Sequence, residues 1–268
     1  MDEDKEFQPS FDLGDIAESP KETKAPKRKA SPRREKRKEG EQGALLASNE
    51  QSAAPRKLEV SKHFDEYVQA AQELMKITDK KGDIDQLQDE LGQAAYEKII
   101  APIYGNIQIR VGNNIEYANG GGGLYGQGIQ GGNFAFQSDE FSFGEGFVLG
   151  RNTMLSAHNP EVYNAFLIGF NIMAGSGFPG DPTRRSLECE SPTIDESFIC
   201  GPYALRRVEN ALVRNTVVAG FGALEDAKNG ITFENTKVVR PEGVYYFKEK
   251  AKLVGRINWK ALERYIEK

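Results

Sequence analysis

Residues 123–152 read GLYGQGIQGGNFAFQSDEFSFGEGFVLGRN, and the fold prediction starts from this stretch. Short runs of Ile, Phe, Leu and Val alternate with Gly, Ser and Asn, a pattern typical of short β-strands separated by tight turns. Residues 105–180 hold 17 of the 28 glycines, so the same texture extends to both sides. The pattern predicts a glycine-rich antiparallel β-sheet or a partly closed barrel.

The remaining elements follow from apolar runs and breaker residues. Three prolines indicate a loop over Asp181–Pro202, and helical spacing of Leu and Val predicts a helix from Ala204 to Arg214. A closing helix is predicted from Trp259 to Ile266. Apart from the recurring glycines, we detect no internal repeat. The predicted strands are Ile107–Val111, Leu124–Ile129, Asn133–Gln137, Phe141–Leu149, Ala165–Met173, Thr216–Ala219, Ile231–Glu234 and Val244–Ile257.

Two amphipathic helices are predicted before the glycine-rich region. The first begins after Ser61 and the second at Asp83, with a break at Lys80-Lys81-Gly82 between them and Pro102 after them. Helices joined so closely form an αα-hairpin. Their apolar positions are Phe64, Tyr67, Val68, Ala71, Leu74 and Met75 in the first helix, and Ile84, Leu87, Leu91, Ala94, Ala95 and Ile99 in the second.

The predicted fold class is therefore α+β, with an N-terminal αα-hairpin, a Gly-rich antiparallel β-sheet or partly closed barrel, and a C-terminal helix. Residues 1–57 are rich in Lys, Glu, Ser and Pro and cannot bury enough apolar area to offset ordering entropy, so we expect a disordered arm. The predicted organisation is the arm at 1–57, a helical hairpin at 58–103 and a β-rich domain with two helices at 104–268.

Charge is segregated along the arm. Residues 1–20 carry seven acids against one lysine, a net of −6, and residues 21–38 carry ten basic residues against two acids, a net of +8. Since the whole chain has a net charge of −5, residues 39–268 contribute −7. A polyanion would therefore bind the arm and not the body. The predicted polyanion-binding residues are Lys27, Arg28, Lys29, Arg33, Arg34, Lys36, Arg37 and Lys38.

These observations favour a non-enzymatic structural or interaction protein. Its basic arm would bind nucleic acid, an acidic protein or an import receptor, as in a virion component or a nuclear-targeted factor. The acidic N-terminus lacks the apolar core of a signal peptide, and no apolar run reaches the roughly 18 residues of a membrane-spanning helix. We expect a soluble intracellular protein. The basic cluster is consistent with nuclear import, and the sequence leaves open whether the protein forms oligomers.

Cofactor and metal motifs give weak signals. Gly126-Gln127-Gly128-Ile129-Gln130-Gly131 spells G-x-G-x-x-G, but a strand follows it where a dinucleotide site needs a helix. Two histidines and two cysteines offer no zinc-ligand spacing. Cys189 and Cys200 form either one disulfide or two free thiols, and a reducing compartment favours the free thiols. We therefore predict no cofactor and no metal.

Two alternative functions remain. The stretch Gly144–His158, ending Leu155-Ser156-Ala157-His158, is similar to the segment around the catalytic histidine of trypsin-like proteases. That resemblance implies a divergent or inactive hydrolase, with Ser176 or Cys200 as the nucleophile and Asp181 or Asp195 as the orienting acid. The second alternative is a β-barrel that binds a small apolar ligand. Because no matching nucleophile turn is present, the sequence favours a protein that is not an enzyme, and no catalytic residue is assigned.

Overall fold

The computed structural model describes residues 57–268, except for 113, 116–121, 136–137, 155–156, 175–188, 226, 256 and 268. Its helical segments are a 3₁₀ turn at Val60–Lys62, then α1 (Phe64–Thr78) and α2 (Ile84–Ala95), a π-helical turn at Tyr96–Ile100, α3 (Ala101–Tyr104) and a 3₁₀ helix at Trp259–Tyr265. The Asp83 carboxylate caps α2 by accepting hydrogen bonds from the backbone N–H groups of Asp85 and Gln86.

The rest of the described chain is one stack of short strands. The strands are β1 (Gln108–Val111), β2 (Asn114–Ile115), β3 (Gly122–Tyr125), β4 (Gln127–Phe134), β5 (Phe141–Thr153), β6 (Glu161–Ile168), β7 (Asn171–Ile172), β8 (Cys189–Glu190), β9 (Thr193–Asp195), β10 (Phe198–Cys200), β11 (Tyr203–Ala204), β12 (Val208–Arg214), β13 (Val217–Ala219), β14 (Ala227–Glu234), β15 (Thr236–Arg240), β16 (Gly243–Phe247) and β17 (Ala251–Gly255).

From β1 to β15 the paired strands run parallel, each lying on the strand one turn earlier in the chain. Gly128 pairs with Phe147, Phe147 with Phe166, Phe166 with Phe198, and Phe198 with Val217. Residues on the first two of these steps are 19 apart, which defines one coil of a β-solenoid. The step from Phe166 to Phe198 is longer and contains residues 175–188, which lie outside the described part of the chain.

Between Ala135 and Asn235, successive coils bend at three equivalent positions where a residue other than glycine adopts left-handed backbone geometry, with φ between 44° and 62°. One set is apolar and buried, whereas the other two are rich in Asn and Glu. Left-handed geometry costs an L-residue about 1–2 kcal/mol, least for Asn, and here every coil accepts it at the same places. The sets are Ala135, Met154, Met173, Leu205 and Leu224; Glu140, Asn159, Ser191, Asn210 and Asn229; and Glu145, Asn164, Glu196, Asn215 and Asn235.

A glycine column accounts for the glycine-rich composition. Gly131, Gly150, Gly169, Gly201 and Gly220 occupy equivalent positions in successive coils. A Cβ atom at Gly169 would lie 1.6 Å from the carbonyl oxygen of Gly150, and one at Gly201 would lie 1.9 Å from that of Gly169. No side chain fits between such close backbones, so the column requires glycine.

Two apolar cores flank the wall of the solenoid. The inner core fills the coil interior with buried residues such as Phe143, Val162, Ile194 and Phe233. The outer core lies between the helices and the outside of the wall, where Tyr67 of α1 contacts the rings of Phe166 and Phe198 at 6.0 and 5.8 Å. The helices therefore cover one outer face of the solenoid.

Lys237 fastens α1 to this face. Its side chain is only 5% exposed, and its Nζ lies 2.9 Å from Asp65 Oδ1 of α1 and 2.8 Å from Glu267 Oε2. The ammonium group also lies over the rings of Phe64 and Tyr246. Burial opposes the charge, but the hydrogen bonds that the ammonium group donates to Glu267 and Asp65 outweigh it and raise the pKa of Lys237. One cation thus joins α1, the last parallel coil and the C-terminal segment.

The C-terminal end of the solenoid is closed by antiparallel structure. β16 pairs with β15 and β17 pairs with β14, both antiparallel. Phe247 stacks on Phe233 at 4.6 Å, and Trp259 packs against Tyr245 at 4.9 Å. These rings cover the last turn of the inner core, so β16, β17 and the helix at Trp259–Tyr265 form a cap.

The predicted α+β fold with a Gly-rich antiparallel sheet or partly closed barrel is wrong. The chain is mostly β, and its strands stack in parallel coils. Short alternating apolar runs do not distinguish antiparallel from parallel strands, and in the described ranges β4, β5 and β6 pair in parallel. The helices at Phe64–Thr78 and Ile84–Ala95 cover a solenoid instead of packing on a barrel.

Two local predictions are also wrong. The segment predicted as a helix, Ala204–Arg214, forms β11 and β12, because Leu205 turns a corner and Val208 points into the inner core. The described part of the predicted loop Asp181–Pro202 contains β8, β9 and β10.

The closing helix predicted from Trp259 to Ile266 is a 3₁₀ helix that ends at Tyr265. In the described ranges, no helix combines the length and apolar character needed to cross a membrane.

The glycine column yields a stability prediction. We expect Gly169→Ala to lower the free energy of unfolding by about 1–3 kcal/mol, because the methyl group forces neighbouring coils apart. Urea unfolding followed by circular dichroism measures the change. The matched control is Gly92→Ala in α2, where the new methyl group meets only Leu149 at 3.9 Å. Since Ala favours helix by about 1 kcal/mol, this control should be neutral or stabilising. Equal effects of the two variants would contradict the role of the column.

Candidate functional site

His158, the candidate catalytic histidine of the alternative function, lies in a row of charged side chains across the coils. It forms isolated parallel bridges with Asp139 on one side and Glu190 on the other. Glu190 is in turn paired with Glu209 of β12. We call these four residues the His158 row. His158 Nδ1 lies 3.1 Å from Glu190 Oε2, and both side chains are about half exposed. The imidazole is therefore engaged by a carboxylate at the solvent-facing surface.

Cys200, the candidate nucleophile that the structure describes, does not lie beside His158. Cys189 belongs to the inner core and Cys200 to the outer core, both are fully buried, and both are free thiols. Burial raises the pKa of each from 9.0 to about 12, which leaves the thiols protonated and unreactive at neutral pH. Ser176 and Asp181 lie outside the described residues.

Asp195, the other candidate orienting acid, is held elsewhere. It lies in β9, where its carboxylate accepts hydrogen bonds from Arg214 Nη2 at 3.0 Å and Asn215 Nδ2 at 2.8 Å. Asn215 accepts in turn from Asn235 Nδ2 at 2.8 Å. Asp195 thus begins a hydrogen-bonded ladder that joins three coils.

A second ladder was not anticipated from the sequence. Asn171 donates to Asn152 at 2.8 Å, and Asn152 donates to Asn133 at 2.6 Å. Asn152, in the middle of the stack, both donates and accepts, which satisfies a half-buried amide that would otherwise lose its water. In the sequence this ladder corresponds to three asparagines spaced by 19 residues. Comparison of the sequence with itself at a 19-residue offset would have found them.

The G-x-G-x-x-G motif has a structural explanation for each glycine. Gly126 turns a corner at φ 63°, and a Cβ atom at Gly128 would lie 2.4 Å from the Phe147 ring. Gly131 belongs to the glycine column, where a Cβ atom would lie 1.7 Å from the Gly112 carbonyl oxygen. Each glycine of the motif is therefore explained by the geometry of the solenoid. The motif leads into strand β4 and not into a phosphate-binding helix.

Other acidic and aromatic side chains of the body have structural positions. Glu190 lies in the His158 row, and Glu196 accepts hydrogen bonds from the backbone N–H and hydroxyl of Ser61, which anchors the segment before α1. In β16, Tyr245 and Phe247 are buried in the inner core. Lys248, Lys250 and Lys252 near them are exposed, so the three ammonium groups face solvent while the two rings do not.

The eight predicted polyanion-binding residues, Lys27, Arg28, Lys29, Arg33, Arg34, Lys36, Arg37 and Lys38, lie outside the described residues. The comparisons with known proteins add no constraint, since no family model, curated protein or solved structure matches the chain. The β-solenoid is therefore assigned from strand register alone, and the function must be argued from this chain's own residues.

Burial of the two thiols predicts how stability changes with pH. The folded state keeps Cys189 and Cys200 protonated to about pH 12, whereas the unfolded chain ionises them from about pH 9. Between these two pH values, ionisation of the thiols stabilises only the unfolded state. The free energy of unfolding should therefore fall as the pH rises from 9 towards 12. Urea unfolding across that interval measures the slope. The double variant Cys189→Ala and Cys200→Ala should fall less steeply, and an unchanged slope would contradict the assignment.

The same burial predicts thiol reactivity. Iodoacetamide should leave the native protein unmodified at neutral pH and label both cysteines in urea, as measured by mass spectrometry. The control is Val254→Cys, which places a thiol at a position that is 67% exposed and should react rapidly. His158→Ala should change neither result. Labelling of one native Ser or Cys by a fluorophosphonate or iodoacetamide that disappears in His158→Ala would instead establish hydrolase chemistry.

Proposed function

We propose that this protein is a non-enzymatic interaction protein, in which a rigid β-solenoid carries a basic arm that binds a polyanion. The observation that carries the proposal is charge segregation. Residues 21–38 have a net charge of +8, whereas residues 39–268 have a net charge of −7. A polyanion is attracted to the arm and repelled by the body, so the arm is the binding element.

The body supports this proposal through the roles its polar residues already have. His158 is paired with Glu190, Asp195 with Arg214, and Glu196 with Ser61. Both cysteines are buried in apolar cores. These side chains are used to hold coils and helices together, which suits a scaffold. The alternative of a ligand-binding barrel depended on the barrel, and the corrected fold removes that basis.

The polyanion class follows from the physics of the arm. A segment with a net charge of +8 binds a polyanion through the release of counterions, so it selects charge density and not base sequence. Nucleic acid is the substrate we favour, and an acidic protein or an import receptor is the alternative partner of the same residues. Phosphorylation of Ser31, between Ala30 and Pro32, would add up to about two negative charges and weaken binding.

The test uses the full chain and a fluorescent single-stranded DNA in anisotropy titrations across a salt series. Replacing Lys27, Arg28, Lys29, Arg33 and Arg34 with Ala should abolish binding and its salt dependence. The matched control replaces the exposed body residues Lys248, Lys250 and Lys252 with Ala and should leave the affinity within a factor of about three. The opposite pattern would move the site to the body. Absence of binding by the unmodified chain would refute nucleic acid as the ligand.

A further inference from the structure

Three asparagines occupy the same corner in different coils of the solenoid. Asn159, Asn210 and Asn229 all have left-handed backbone geometry and belong to one of the three corner sets. The residue that follows is a proline after Asn159, an alanine after Asn210 and a glycine after Asn229. Among the left-handed asparagines in the described ranges, only Asn229 precedes a glycine. The corner therefore places one type of side chain beside three different backbone neighbours.

The Asn229-Gly230 dipeptide interrupts the strand pairing on both of its sides. Against β12 and against β17 alike, the register of β14 skips both residues and resumes at Ile231. Asn229 is exposed, and its Nδ2 donates a hydrogen bond to Glu209 Oε1. Gly230 adopts a φ of 99°, a conformation that glycine reaches because it has no Cβ atom. In the described strands, the residue pairs of these two ladders thus leave this dipeptide out.

We propose that Asn229 is a deamidation site of the folded protein. Deamidation begins when the backbone nitrogen of the next residue attacks the side-chain amide carbon of the asparagine. Proline has no N–H proton to lose, so the residue after Asn159 excludes the reaction there. A Cβ atom hinders the attack at Asn210, whereas Gly230 has none and has the widest range of backbone angles. Of the three corner positions, Asn229 is thus the reactive one.

The reaction uses only groups of the protein and water. A bond forms between the Gly230 nitrogen and Asn229 Cγ while the bond from Cγ to Nδ2 breaks. The amide proton of Gly230 leaves with Nδ2 as ammonia, and the product is a cyclic imide. Water then opens the imide at either carbonyl carbon, which leaves an aspartate or an isoaspartate. Because Asn229 is exposed, water reaches the imide.

Both products place a new carboxylate beside Glu209. The amide that donates to Glu209 Oε1 is lost, and the carboxylate that replaces it repels the same oxygen. Glu209 already pairs with Glu190 in the His158 row, so the modification adds a further acid next to this pair. An isoaspartate also adds a carbon atom to the main chain at the corner. The modification therefore weakens the contact between β12 and β14, and the inference does not depend on polyanion binding by the arm.

The test incubates the full chain in buffer at physiological temperature and pH and follows its tryptic peptides by tandem mass spectrometry. Trypsin releases Asn229–Lys237, which also contains Asn235, and Val208–Arg214, which contains Asn210. We expect the modified fraction at Asn229 to rise at least about ten times faster than at Asn210 or Asn235, which precede alanine and threonine. Fresh protein digested in parallel corrects for modification during the digestion.

A parallel incubation in urea tests whether the fold permits the reaction. Asn229 should be modified in the native protein as well as in the unfolded chain. Modification in urea alone would overturn the inference, and so would equal rates at Asn229 and Asn210 in the native protein. Peptide mapping is required because Asn119-Gly120, outside the described residues, would give the same change in intact mass.

Two variants measure the consequence for stability. Asn229→Ser removes the amide donor without adding charge, whereas Asn229→Asp also places a carboxylate beside Glu209. We expect the urea midpoint of Asn229→Asp to be lower than that of Asn229→Ser, and high salt should narrow the difference because it screens the repulsion. Equal midpoints at low salt would contradict the effect that we assign to the modification.

Discussion

Parallel hydrogen bonding between successive coils is the constraint on which the other features of this protein depend. Because each strand pairs in register with the strand one coil later, every residue lies directly beside its equivalent in the next coil. Side chains that pack well beside themselves are therefore favoured at each position. Phe147, Phe166 and Phe198 satisfy this in the outer core, and the glycine column satisfies it where two backbones nearly touch. Burial alone would not require the same residue type in successive coils, whereas in-register pairing favours it.

Polar residues obey the same constraint with different chemistry. A half-buried amide has a donor and an acceptor, so a column of asparagines passes hydrogen bonds along the axis without leaving either group unsatisfied. Like charges cannot be stacked in this way without repulsion. In the His158 row, His158 separates Asp139 from Glu190, which relieves part of that repulsion. The histidine that resembles a protease residue thus separates two carboxylates of the row, while Glu190 and Glu209 remain neighbours.

The sequence predicted some elements well and the architecture badly. Helical spacing located α1 and α2, because their apolar stripes reflect local geometry. Alternating apolar residues located strands such as β5, but alternation is the same whether the neighbour runs parallel or antiparallel. The decisive information was the recurrence of Gly131, Gly150 and Gly169 in equivalent positions, which requires comparison of residues a whole coil apart. The segment Ala204–Arg214 shows the opposite error. Leu205, Val208 and Leu212 are spaced as in a helix, but Leu205 turns a corner and the segment forms strands.

Of the candidate site, the sequence supplied the residues and their chemical types but not their partners. Nothing near His158 in the chain indicates that Glu190 will face it, because the two are separated by the residues of the longest coil. In the same way, the exposure of Ile109 and Val111 depends on β1 being the first strand of the stack. Apolar residues in the middle of a stack would be covered by helices, whereas at its first coil they remain in solvent.

The longest coil has a consequence for how such a chain can change in evolution. The coil that joins β6 to β10 is longer than its neighbours, and β10 nevertheless pairs in register with β6. Near Asn229 and Gly230 a shift in register between β12 and β14 absorbs a smaller irregularity, at a corner. Insertions and deletions are therefore tolerated at corners, whereas the loss of one residue inside a strand would turn every later side chain to the wrong face. The corners are the positions at which foreign loops could be grafted onto this protein while its coils stay intact.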